Sequence, residues 1–250
     1  MIETSREDGT VILRLAHGRA NAMDTELLRA LRQALEPKRL GDARAVVITA
    51  AGAIFSAGVD LPRVLSGGRD YLAEFLAELS GAFRELFVVP RPVIAAVNGH
   101  AIAGGCVVAC ACDYRLMARG GGRIGLPELR VGVPFPISAS EILRHAIGVG
   151  RAQRAMLVGH NVEAQDSVEH GFIDELVEPE RLMERALEVA ATMAAAPPDS
   201  YARTKLDLRR PVIETWQRLA EEHDRQTLET WDSPTVRGAM REFVERTLRK

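Results

Sequence analysis

Three short runs, TVILRLA from Thr10, ARAVVITA from Ala43 and PVIAAVNG from Pro92, alternate with segments of helical periodicity, and that alternation constrains this chain most. Runs of β-branched and small apolar residues bounded by turn signals read as strands, ARAVVITA as a fully buried one, and Pro92 suits a strand start. Between them, Asp24 is placed to cap a helix whose apolar face is Leu27, Leu31, Ala34 and Leu35. A second helix is expected from about Asp70, with Leu72, Phe75, Leu76, Leu79 and Phe83 at helical spacing. Strand, helix and strand follow again from Ala103 to Ala118, which makes the first half α/β.

Beyond Pro134 the signals become helical: ISASEILRHAIG, RAQRAMLVG, EAQDSVEHG closed by Gly171, and PERLMERALEVAATMAAAPP. Pro197 and Pro198 mark a boundary, dividing the chain into 1–196 and a helical region, 197–250, with two more helices around Trp216 and after Ser233-Pro234. Such a tail folds back on its own core or onto a neighbour.

The 250 residues are 47% apolar and 26% charged with a net charge of −2, enough for a sizeable core but without the one-signed field that nucleic acid or a membrane surface requires. No run of about 18 uncharged apolar residues occurs, so no membrane span is expected, and the polar start MIETSREDGT has no signal-peptide pattern. The three cysteines, Cys106, Cys110 and Cys112, fall in one apolar run, which suits buried free thiols in a reducing, cytoplasmic compartment better than disulfides or a metal site.

Gly120, Gly122 and Gly125 satisfy G-x-G-x-x-G, but Leu126-Pro127 follows where the dinucleotide fingerprint needs a helix. No histidine pair has metalloprotease spacing and no G-x-S-x-G supplies an activated serine, while His145 and Glu141 lie one helical turn apart, as a solvated pair would.

The stretch AGGCVVACACDYRLMARGGGRIGLPE, Ala103 to Glu128, offers more. A helix beginning at Gly104 or Gly105 presents unpaired N-H groups to a ligand oxygen, which is half an oxyanion hole; the same glycines equally suit close packing of helix on strand. In FSAGVDL, the turn at Ala57-Gly58 leaves the Val59 N-H facing outward, a second donor, while Asp60 can cap the next helix. Glu128, taken alone, reads as a solvated loop acid.

FSAGVDL, PVIAAVNGHAIAGGCVVACACDYRLMA, GLPELRVGVP, AQRAMLVG and GFIDELV, in that order, resemble the crotonase superfamily, the enoyl-CoA hydratase/isomerase family, over essentially the whole chain. The resemblance implies a spiral of ββα turns with a C-terminal helical region that builds trimers, often paired into hexamers. It implies an acyl-CoA substrate and no cofactor beyond the coenzyme A of that thioester. By motif position, it assigns the oxyanion donors to Val59 and Gly104, the acid/base to Glu128, and coenzyme or acyl contacts to Ala20, Ala57, Asp60, Leu61, Val107 and Phe135. Arg19, Arg63, Lys205 and Arg209 are candidates for the coenzyme phosphates, with surface solvation the alternative for each.

Departures from the family pattern set the expected chemistry. Hydratases usually hold two glutamates, one three residues after the oxyanion glycine, where this chain has Val107, and one at Glu128. The usual P-G-x-G-G is replaced by PFPIS, and the acid of dienoyl-CoA isomerases, about eight residues beyond the glutamate, by Pro136. One carboxylate suffices to move a proton between two carbons, whereas adding water is work that paired carboxylates share. The leading expectation is a delta3,delta2-enoyl-CoA isomerase; the alternatives are a hydratase with a single glutamate and a non-catalytic acyl-CoA binder.

Overall fold

A computed structural model describes residues 1–120 and 122–248. The strands are β1 (Ile2–Glu7), β2 (Thr10–Leu15), β3 (Ala45–Ala50), β4 (Ile54–Ser56), β5 (Val93–Val97), β6 (His100–Ile102), β7 (Tyr114–Ala118), β8 (Arg123–Gly125), β9 (Asn161–Glu163) and β10 (Glu175–Val177). The helices are α1 (Thr25–Leu35), α2 (Pro37–Leu40), α3 (Leu61–Phe87), α4 (Gly104–Ala111), α5 (Glu128–Val131), α6 (Ile137–Ile147), α7 (Val149–Val158), α8 (Leu182–Ala194), α9 (Pro198–Asp232) and α10 (Pro234–Leu248).

Two sheets result, one in the order β1-β2-β3-β5-β7-β10 and the other β4-β6-β8-β9. Three times in succession a strand of the first sheet is followed by a strand of the second and then by a helix: β3-β4-α3, β5-β6-α4 and β7-β8-α5. This is the ββα spiral. Every residue of β3 is buried because both faces of its sheet are covered. Val46 and Ile48 face the main core, while Ala45 and Val47 join Ile94, Ala96 and Leu116 beneath α8.

Local signals account for several boundaries. The Asp24 side chain accepts the Leu27 N-H and starts α1, and Ser233 Oγ accepts the Val236 N-H ahead of Pro234. The helix expected from about Asp70 follows a break at Gly68 (φ 73°, ψ −171°), a conformation open essentially to glycine alone, and a further helical segment from Leu61, capped by Asp60, precedes the break. EAQDSVEH does not form the expected helix. Its start belongs to β9, and only Ala164–Asp166 makes a single 3₁₀ turn, where Ser167 Oγ bonds back to the Ala164 carbonyl at 2.6 Å.

The C-terminal helices fold back on the chain's own core. Helix α9 packs on α3 and α6, and α10 on α3 and α5. One anchor is ionic: Lys205 Nζ lies 2.6 Å from Asp113 Oδ2, and Arg209 Nη2 2.7 Å from Oδ1 of the same carboxylate. Both cations are buried, so they are not a surface for coenzyme phosphates; burial pulls Lys205 down to about 8 against the attraction of Asp113. Among the described residues no helix is long and apolar enough to cross a membrane.

Candidate active site

β4 and β6 are parallel neighbours, so the loops leaving their C-terminal ends, Ala57–Asp60 and Ala103–Gly104, come together. Contact there is tight. A Cβ on Gly58 (φ +84°) would lie 2.7 Å from Ala103 Cβ, 2.9 Å from the Ile102 carbonyl oxygen and 3.4 Å from the Gly104 nitrogen. Gly105 is equally constrained, since a Cβ there would fall 2.6 Å from the Ser56 carbonyl oxygen. Close packing therefore accounts for Gly105.

The backbone amides beside these contacts are left unused. Met23 donates to the Gly58 carbonyl at 2.7 Å and accepts from the Asp60 N-H at 3.0 Å, which passes over the Val59 N-H between them. Ala103 adopts φ 53°, ψ −120°, costly for a residue with a side chain, and donates its own N-H to the Gly125 carbonyl at 2.8 Å. The next amide, that of Gly104, opens α4, where first-turn N-H groups have no helical acceptor. Among the described residues neither the Val59 nor the Gly104 N-H has a hydrogen-bond partner.

Both loops border a cavity of about 230 Å³. Ala57, Val59, Leu61, Gly104, Val107 and Phe135 are in its wall, and so is Glu128. Ala20 and Asp60 are not. Ala20 instead accepts the Ala57 N-H at 2.9 Å, and Asp60 caps α3 through the Arg63 N-H at 3.1 Å. Glu128 is the only ionisable residue among the described residues of the wall. The residue as a whole keeps some solvent contact, but its Oε2 is fully enclosed and has no hydrogen-bond partner. Burial pushes its carboxyl up to about 8, opposed only by its own backbone N-H. Val107, 1% exposed, occupies the position where a second glutamate was sought.

Sequence reasoning missed the tail's share of this wall. Trp231, at the end of α9, and Phe243, Val244 and Thr247 of α10 line the same cavity. No motif marked them; a helical stripe in a terminal segment looks the same whatever it covers. Also missed was the network beside the Val59 loop. Asp24 Oδ2 lies 2.7 Å from His17 Nε2 and 3.1 Å from Arg63 Nη1. Burial would raise the Asp24 carboxyl, but the Leu27 N-H, His17 and Arg63 together hold it below its ordinary value. Arg63 is thus engaged with Asp24 and Glu26, while Arg19 is exposed.

Other motifs resolve simply. Gly125 ends strand β8 and opens no helix, the three cysteines are free and buried, and Glu141 pairs with Arg144 rather than with His145. No group of three His, Cys, Asp or Glu side chains able to hold a metal ion occurs among the described residues.

The spiral, with its adjoining loops and apolar cavity, is the crotonase fold: the crystal structure of human mitochondrial delta3-delta2-enoyl-CoA isomerase superposes with a TM-score of 0.94 over 99% of this chain and 98% of its own, at 23% identity. Residues 6–249 match the family model for enoyl-CoA hydratase/isomerase, and the chain belongs to that family. It is similar to a short-chain-enoyl-CoA hydratase of Clostridium acetobutylicum, 29% identical over 90% of this chain and 87% of that one. A putative enoyl-CoA hydratase of Thermus thermophilus is 31% identical over 98% of each chain.

Proposed function

We propose that this family member is a delta3,delta2-enoyl-CoA isomerase with Glu128 as its sole acid/base. The observation that carries the reading is the wall itself, in which a single ionisable side chain among the described residues, Glu128, stands with Val107 in place of a second carboxylate.

In this reading, the thioester oxygen of a 3-enoyl-CoA accepts hydrogen bonds from the Val59 and Gly104 amides. The Glu128 carboxylate takes a proton from C2, and the electron pair of that C–H bond moves into the C2–C1 bond while the carbonyl π pair moves onto oxygen. The product is a dienolate and a protonated Glu128. The oxygen's electrons then return, the double bond settles between C2 and C3, and Glu128 delivers its proton to C4. Each oxyanion donor is worth about 3 to 4 kcal/mol of barrier where such donors have been removed. An unpartnered carboxyl with a raised pKa is a stronger base toward a carbon acid than a solvated one, and its free oxygen is available to substrate. The reading requires no cofactor besides the coenzyme A of the substrate, and it includes the trimer or hexamer that the sequence resemblance implies and the cytoplasmic setting that the free cysteines suit.

A hydratase working with Glu128 alone is the second reading, favoured by the names of the relatives from Clostridium acetobutylicum and Thermus thermophilus. Purified protein supplied with 3-hexenoyl-CoA and, separately, crotonyl-CoA decides between them: isomerisation of the first with little hydration of the second is expected. Efficient hydration of crotonyl-CoA with 3-hexenoyl-CoA left untouched overturns the isomerase. Calorimetric acyl-CoA binding without turnover of either would identify a binder.

A further inference from the structure

The cavity differs from side to side in exposure. Trp231, Phe83 and Leu79 are 2%, 1% and 3% exposed and form its inner wall, whereas Phe243 and Val244 are half-buried and Thr247 is exposed at its outer side. Apart from Glu128, only two side chains among the described residues of the wall carry polar atoms, and the hydrogen of each is already donated. Trp231 Nε1 donates to the Pro134 carbonyl at 3.0 Å, and Thr247 Oγ1 donates to the Phe243 carbonyl at 2.8 Å. A carboxylate at the end of an acyl chain would lie there without a cationic partner among the described residues, which is costly.

Resting on the acyl-CoA reading above, we infer that the cavity accepts an unfunctionalised hydrocarbon chain and that Trp231 is the residue that limits its length. The indole is held at both ends, by its bond to Pro134 and by the packing that leaves it 2% exposed, so it is a fixed stop rather than an adjustable one. The tail thereby sets specificity for a reaction whose donors and acid lie in the spiral.

The test uses saturated straight-chain acyl-CoAs, from butyryl to hexadecanoyl, titrated calorimetrically into the intact protein. Affinity should rise about fourfold per added methylene up to a break and no further beyond it. Trp231→Leu should move the break at least two carbons longer, and Ala139→Val, which thickens the wall at another position, should move it shorter. A break unmoved in folded Trp231→Leu overturns the inference, as does an ω-carboxylated chain that binds as tightly as its hydrocarbon counterpart. Should Trp231→Leu not fold, Trp231→Phe takes its place, and an unmoved break there overturns the inference equally. Saturated chains cannot isomerise, so a break that shifts as expected in a protein inert toward 3-hexenoyl-CoA would sink the isomerase and leave the length limit standing.

Discussion

Glu128 rests in its acid form near neutral pH because burial holds its carboxyl at about 8, although the proposed reaction starts from the carboxylate. Rate and stability should therefore respond to pH in opposite directions. kcat/KM measured on the free enzyme should climb with pH and level off above about 8, and Glu128→Gln should lower it by about 10² to 10⁴-fold while acyl-CoA binding persists. For stability, the folded pKa lies above the usual carboxylate value, so the folded protein binds more protons than the unfolded one between them. This contribution is fully present below about 4.5 and is lost as pH rises through about 8. Chemical denaturation from pH 5 to 8 should show Glu128→Gln with a shallower decline than wild type, a difference of on the order of a few kcal/mol at most. The role of Glu128 was legible only through its neighbours in the chain, because nothing in GLPELRVG by itself separates an enclosed acid from a solvated one. Val107 bears on the proposal more directly, since an apolar residue there leaves Glu128 as the one carboxylate among the described residues of the wall.

At the scale of elements, the junction of the β4 and β6 loops leaves no room for a side chain at Gly58. Gly58→Ala adds a methyl group at positive φ into contacts of 2.7 and 2.9 Å. It should lower the melting temperature and cut kcat/KM at least tenfold by prising the two amides apart, as scanning calorimetry and steady-state kinetics would record. Asp113→Asn would leave Lys205 and Arg209 buried without their counter-ion and should cost about 3 to 5 kcal/mol in denaturant titration. The strand-helix alternation could be read from residues because β3 and β5 are apolar on both faces, and Asp24 and Ser233 signal their helices by side-chain chemistry. EAQDSVEH could not, because its acids and Gln permit a helix that tertiary pairing of β9 with β8 overrides. Lys205 and Arg209 misled in the other direction. Their partner Asp113 is remote in sequence, and only the fold makes them interior.

The whole molecule still shows unpaired apolar surface after its tail has folded back. Leu157 on α7 and Leu208 on α9 are 65% and 67% exposed, with Val149, Val158 and Leu206 also open to solvent. Surface of this kind is what a symmetric oligomer covers. Sedimentation velocity should therefore find species of three or six chains, and Leu208→Glu should shift the distribution toward monomer. The interruption of α3 at Gly68 has a different consequence. It divides one long rod into a front section, which carries Leu61 and Pro62 of the cavity wall and is tethered where Arg237 donates to the Leu65 carbonyl at 2.9 Å, and a rear section set in the core. Because no hydrogen-bonded ladder runs unbroken through the joint, the two sections can melt separately. Amides at 61–67 should take up deuterium well before those at 72–87, and an acyl-CoA bound in the cavity should slow the first group through Leu61 and Pro62 and add protection to the second through Leu79 and Phe83.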